Sequence, residues 1–150
     1  MEENYFKPAV TVDSIVFTIR DIEQENYRKL PEKKLQILLV KRGQEPFCDK
    51  WSLPGTFVQE EERLEEAVDR CLKEKANVKD IYLEQLYTWG DPTRDPRERV
   101  ISTSYMGLVD SEDIQIKPGK NVHEIDWFTI HTKVTKQSRK ENKHGYQKIE

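Results

Sequence analysis

What this 150-residue chain has least of is uninterrupted apolar sequence. No run approaches the about 18 consecutive apolar residues of a membrane-crossing helix, so no membrane partner is expected. The amino terminus, MEENYFKPAV, has neither the basic stretch nor the apolar stretch of a secretory signal. Cysteine is scarce. Cys48 and Cys71 are the only two, and without paired metal-ligand spacing they read as reduced thiols of a cytoplasmic protein. The three histidines, His123, His131 and His144, also lack any partner spacing that would suggest a catalytic or zinc site.

Charge is plentiful but uneven. Charged and hydrophobic residues stand at 35% each, a very polar chain that still has apolar runs dense enough for a core. Its length fits one domain. Residues 131–150 hold six Lys or Arg against two Glu, which leaves that end at +4 and residues 1–130 at −7 within the net −3. An acidic body argues against broad nucleic-acid binding by the main domain. The basic end reads as a solvated terminus, with phosphate contact as the alternative.

Taken in order, residues 1–8 are a polar lead-in, and AVTVDSIVFTIR (Ala9 to Arg20) has the β-branched content of a strand. A charged loop follows to Lys33. LQILLVKR (Leu35 to Arg42) is a second strand with a continuous apolar centre, as expected where both sheet faces are covered. Gly43 and Pro46 punctuate a loop to Lys50. Strands are expected at Asp80 to Trp89, Arg99 to Val109 and Val122 to Ile130, the last with Trp127 and Phe128 buried; turn-rich stretches at Gly90–Arg97 and Pro118-Gly119 separate them. One clear helix set among five or six strands predicts an α/β or α+β domain built on a sheet with helical cover.

That helix lies in WSLPGTFVQEEERLEEAVDRCLKEKANV, Trp51 to Val78. Leu64, Ala67, Val68, Cys71 and Leu72 fall on one helical face, and Glu62, Glu66, Arg70 and Glu74 recur every four residues on the other. Glu60 to Glu62 suit a helix start, since carboxylates are favoured near the positive end of the dipole. Asn77, tolerant of left-handed geometry, suits the end.

This segment resembles the Nudix box, G-x5-E-x7-R-E-U-x-E-E-x-G-U with U a bulky apolar residue. Laid on the chain, the box keeps Glu62, Arg70, Leu72, Glu74 and Val78. It departs at Thr56 and Asn77 (glycines in the box) and at Cys71 and Lys75 (glutamates in the box). The flanks LLVKR, WSLPG and Phe57-Val58 also match. A Nudix-type α/β/α sandwich with a mixed sheet is what the resemblance implies, spanning residues 1–130. Residues 131–150 then form a basic polar tail or the start of a further segment. In that family the box glutamates carry Mg2+ or Mn2+, which assists water attack on a diphosphate joined to a nucleoside. Hard cations prefer carboxylate oxygens, whereas Cys71 offers a soft donor and Lys75 a positive charge. Glu62 and Glu74 are therefore the candidate catalytic and metal-binding residues, with a solvated ion-pair face as the plainer alternative and a metal-free site as the other.

A second stretch, YTWGDPTRDPR followed by RVIS, is similar to the segment of one Nudix branch. That branch holds ADP-ribose pyrophosphatases and the Nudix-related regulators of NAD metabolism, in which a Nudix-like domain senses ADP-ribose and a C-terminal winged helix contacts DNA. The resemblance implies a domain that senses ADP-ribose or a related nucleoside diphosphate derivative with weak or no hydrolysis; the alternative is a metal-dependent Nudix hydrolase. A third class is an interaction module without ligand. It further implies a homodimer, and DNA as a partner only if a winged helix lies beyond residue 150. Candidate ligand-binding residues are Lys75, whose ammonium would replace a metal's charge unless it pairs with Glu74 or Glu62, together with Arg42, Arg94, Arg97 and Arg99. Arg94 and Arg97 have an alternative in Asp91 and Asp95 of their own loop. Phe47, Trp89 and Tyr105 are candidates to stack on a base, with core packing as the plainer reading. Cys71 reads as a small buried hydrophobe.

Overall fold

A computed structural model describes residues 5–133. The seven strands are β1 (Ala9–Ile22), β2 (Glu32–Arg42), β3 (Trp51–Ser52), β4 (Gly55–Phe57), β5 (Glu84–Trp89), β6 (Val100–Leu108) and β7 (Val122–Thr129), with one helix, α1 (Leu64–Ala76), between β4 and β5. They form a single mixed sheet ordered β3-β2-β1-β6-β5, with β4 paired to β1 and β7 to β2. Only β1 and β6 run parallel, from Ala9 against Val100 to Phe17 against Leu108.

β1 shows why the sequence makes a sheet. Val12, Ser14, Val16 and Thr18 are buried while the residues between them are not, the period of two that a strand imposes. The two buried hydroxyls are satisfied: Ser14 Oγ donates to Pro54 O at 2.9 Å and Thr18 Oγ1 accepts from Ser111 N at 3.1 Å. The apolar stripe of α1 lies on this face. Leu72 and Ala76 pack with Val16, Leu38 and Val78, and Ala67 and Val68 with Val12 and Tyr105. Leu72 alone, fully buried, contributes about 1.5–3 kcal/mol of burial, so Leu72→Ala would loosen the helix from the sheet by about 2–5 kcal/mol.

Both helix ends are closed from outside. At the start, Glu66 Oε2 accepts from Arg63 N at 2.9 Å. The helix begins at Leu64 rather than at Glu60–Glu62, because Glu62 is held in a turn, with its N–H donating to Gln59 O at 3.3 Å. At the end, Asn77 takes φ 57° and ψ 26°, and Val78 N donates to Leu72 O at 3.2 Å. The last carbonyls of a helix have no internal partner. Here the segment before β7 supplies them: Lys117 N reaches Ala76 O at 3.1 Å, Gly119 N reaches Lys75 O at 3.0 Å, and Lys120 N reaches Glu74 O at 2.9 Å. Gly119 comes so close that a Cβ there would run into the Glu74 carbonyl.

Two expectations change. β7 attaches to β2 off the main strand order, so Trp127 and Phe128 are half-buried rather than buried. β3 and β4, two and three residues long, are additional strands. The mixed sheet with α1 on one face is the expected Nudix-type α/β architecture; a second helical layer is not among the described residues. The basic stretch from 134 to 150 lies outside them.

Candidate functional site

The charged side of α1 is organised by Arg70. Its Nε donates to Glu62 Oε1 at 2.6 Å and its Nη2 to Glu62 Oε2 at 2.9 Å, a bidentate pair. Nη2 also donates to Phe57 O at 3.0 Å, and Nη1 lies 3.6 Å from Glu74 Oε2. Glu62 Oε2 accepts a further bond from Gln59 N at 3.0 Å. Arg70 holds the Glu62 carboxyl well down, to about 2. The pair is only partly accessible, with 11% of the Glu62 side chain exposed. The spacing that suggested a ladder of acids therefore builds a clamp joining α1, β4 and the turn between them.

Lys75 reaches across rather than along the helix. Its Nζ donates to Gly55 O at 2.6 Å, so neither Glu62 nor Glu74 is its partner among the described contacts. Gly55 sits in register with Asp13 of β1, and a Cβ at Gly55 would run into the Asp13 carboxylate. Asp13 in turn accepts from Ser102 Oγ of β6. Cys71 is 1% exposed and burial pushes its thiol up to about 11. At neutral pH it is protonated and packs as a small hydrophobe.

The side chains that would have to ligate Mg2+ or Mn2+ do not fit that role as arranged. Hard cations take about six oxygen ligands. Here Glu62 is committed to Arg70 and Gln59, Cys71 is a buried thiol, and Lys75 places a cation on the Gly55 carbonyl. Glu74, about 40% exposed, is the one box carboxylate with room.

The arginines divide. Arg42 Nε donates to Pro46 O at 2.7 Å, tying it to its own loop. Arg97 grips Asp95 through Nε (3.0 Å) and Nη2 (2.8 Å), which holds the Asp95 carboxyl down to about 2. Its guanidinium carbon also lies 5.8 Å from the centre of the Phe57 ring. Since Arg70 bonds the Phe57 carbonyl, the 90–99 loop and the box meet at Phe57, a residue whose role no motif spacing announced. Arg94 is exposed, with its N–H directed to Asp91 O at 3.4 Å. Arg99 is half-buried; its charge acts on Asp91, and its Nη1 is buried with no hydrogen-bond partner. Of the aromatic candidates, Tyr105 is core at 2% exposure, while Phe47 and Trp89 stand exposed. Trp89 Nε1 donates to Ser104 Oγ at 2.9 Å and its ring lies edge-on to Tyr87.

Comparison with known proteins identifies the fold and the family. Over 131 residues the chain is 30% identical to the ADPR responsive transcriptional repressor NtrR of Acinetobacter baylyi, covering 86% of this chain and 48% of that protein. Over 126 residues it is 34% identical to the ADP-ribose pyrophosphatase of Methanocaldococcus jannaschii, covering 84% of this chain and 64% of that one. The chain thus spans less than two thirds of either relative. The fold superposes on the NUDIX domain of Shewanella oneidensis NrtR complexed with ADP ribose with a TM-score of 0.69 at 30% identity, over 86% of this chain and 77% of the other. Residues 29–149 match the NUDIX domain model. With most of its length inside that match, the chain belongs to the Nudix family.

Proposed function

We propose that this chain is a nucleotide-binding Nudix domain that senses ADP-ribose or a related nucleoside diphosphate derivative, with weak or no hydrolysis. The observation that carries the reading is Lys75, whose ammonium stands on Gly55 O where the box has a glutamate. Arg70 neutralises Glu62, and the Lys75 ammonium rests on Gly55 O. A diphosphate needs compensating cations, and guanidinium and ammonium groups supply them as hydrogen-bond donors. A bound divalent cation would in addition activate water; these groups do not. The buried, unpartnered Nη1 of Arg99 is a donor that a phosphate or ribose oxygen would complete. The similar proteins that respond to, hydrolyse or were co-crystallised with ADP-ribose support this choice of ligand.

In this reading residues 1–130 form the ligand-binding domain and residues 131–150 are a basic polar tail or the start of a further segment. The domain works as a cytoplasmic homodimer, with DNA as a partner only if a winged helix lies beyond residue 150. A metal-dependent hydrolase is the second reading, favoured by the room at Glu74 and the exposure of Glu60 and Glu61.

Calorimetry with ADP-ribose in EDTA and again with Mg2+, with chromatography of the same mixtures, separates the two. Binding of equal affinity in both, with no AMP or ribose 5-phosphate released, is the expected result. Mg2+-dependent product formation would establish the hydrolase. Absence of both heat and thermal stabilisation up to millimolar ligand would overturn ligand sensing altogether.

A further inference from the structure

Away from the box, the loop between β2 and β3 and the start of β7 bring together three side chains that the proposed function leaves unused. The ligand atoms of Cys48, Asp49 and His123 all lie within 4.8 Å of one another, and His123 Nδ1 is 2.8 Å from Asp49 Oδ1. We propose that Cys48, Asp49 and His123 form a binding site for a borderline-soft divalent cation, Zn2+ first, with the fourth position open to water.

Three features of the backbone aim these side chains at one point. Along β7, Lys41 faces Glu124 and Arg42 faces Val122, so His123 is the extra residue of a β-bulge, and a bulge re-aims the side chain it carries. A Cβ on Gly43 would lie 3.0 Å from His123 Cδ2, so the imidazole packs directly on that glycine. In the loop, Phe47 (φ 64°) and Asp49 (φ 61°) both take left-handed conformations on either side of Cys48. That conformation is costly for a bulky residue such as Phe. The surrounding backbone holds it: Asp49 N to Arg42 O at 2.8 Å, Arg42 N to Lys50 O at 2.9 Å, Lys50 N to Phe47 O at 3.1 Å, and Gly43 N to Asn121 O at 2.8 Å. Arg42 Nε on Pro46 O completes the frame.

The donor set decides the metal. Thiolate and imidazole select Zn2+ and its neighbours over Mg2+ or Ca2+. Tetrahedral zinc with bonds of about 2.0–2.3 Å places its ligand atoms about 3.4 Å apart, so the cluster needs only small side-chain adjustments. Lys41, whose charge acts on Asp49, is occupied by Glu124 at 2.7 Å. His123 and Asp49 are 52% and 65% exposed at their side chains, which leaves an entry path and an open coordination position. Cys71, the other thiol, is buried under α1 and takes no part.

The metal-free full chain, titrated with Zn2+ against a chromophoric chelator and separately with Co2+, tests the site. One equivalent per chain is expected, with a thiolate-to-cobalt charge-transfer band, four-coordinate d–d bands and a raised thermal midpoint. Cys48→Ser should abolish the charge-transfer band and weaken binding at least tenfold. His123→Gln and Asp49→Asn should weaken it similarly, all three with unchanged midpoints in EDTA. Cys71→Ser should keep the band. A cobalt adduct without thiolate charge transfer, or Cys48→Ser binding as tightly as the unaltered chain, overturns the proposal. So does loss of the band in Cys71→Ser.

Discussion

Arg70 on α1 and Arg99 at the end of the 90–99 loop carry the same guanidinium group and meet opposite surroundings. Arg70 makes three hydrogen bonds to Glu62 and Phe57 and approaches Glu74. Arg99 leaves a buried nitrogen without a partner. A charge whose bonds tie two elements together holds structure, and one with a buried donor left over is available to a ligand. The two regions touch at Phe57, so the difference is one of use and not of distance.

The comparison is broken most directly by Arg70→Ala. It leaves the partly buried Glu62 carboxylate uncompensated, and urea unfolding should show a loss of about 2–3 kcal/mol, below the about 3–5 kcal/mol of a fully buried pair. Arg99→Ala should do the reverse. ADP-ribose affinity measured by calorimetry should fall about tenfold or more, with the thermal midpoint little changed. A collapse of stability in Arg99→Ala would place both arginines in the same class.

A pH scan sharpens the contrast. The Glu62 carboxyl lies at about 2 in the folded chain against an ordinary 4.5, so its pairing adds stability that is complete above about 4.5 and drains away as pH falls toward 2. Thermal midpoints of the unaltered chain and Glu62→Gln should differ by a constant amount from neutral pH to about 5 and converge in more acid solution. A gap that persists near pH 2 would deny the clamp its charge. Arg97→Ala should have the smallest effect on folding. Arg97 is 44% exposed and pairs within its own loop, and chemical unfolding should register under about 1 kcal/mol.

Much of the sheet was legible because β1, β2 and β6 carry strand-forming residues in runs long enough to show their pattern. β3 and β4 were not, since two or three residues display no period. The end of α1 was legible at Asn77 for a local reason, its left-handed backbone. Its start was not, because Glu62 answers to Arg70, eight positions later. Lys75 shows the limit most plainly. Spacing along the helix offers it Glu74 and Glu62, but only the folded chain brings the carbonyl of Gly55 to its ammonium. Arg42, a candidate phosphate ligand, has Pro46 O as a partner that only the folded loop reveals. The cluster at Cys48, Asp49 and His123 left no mark in the sequence. His123 stands more than seventy residues from the adjacent Cys48 and Asp49 and meets them only through a bulge and two left-handed residues.

The parallel pairing of β1 with β6 sets a schedule for synthesis. Ala9 waits for Val100 and Phe17 for Leu108, so one edge of β1 stays bare while about ninety residues are translated. At about 5–20 residues per second that exposure lasts about 5–20 s. The β1–β2 hairpin and α1 emerge within this interval, and contacts this distant in sequence are the slow ones in folding. For that interval the nascent chain presents an unpaired strand edge, the surface on which neighbouring chains add. The exposure of this edge of β1 is therefore a property of the chain's ribosome-bound life, and it ends when β6 arrives.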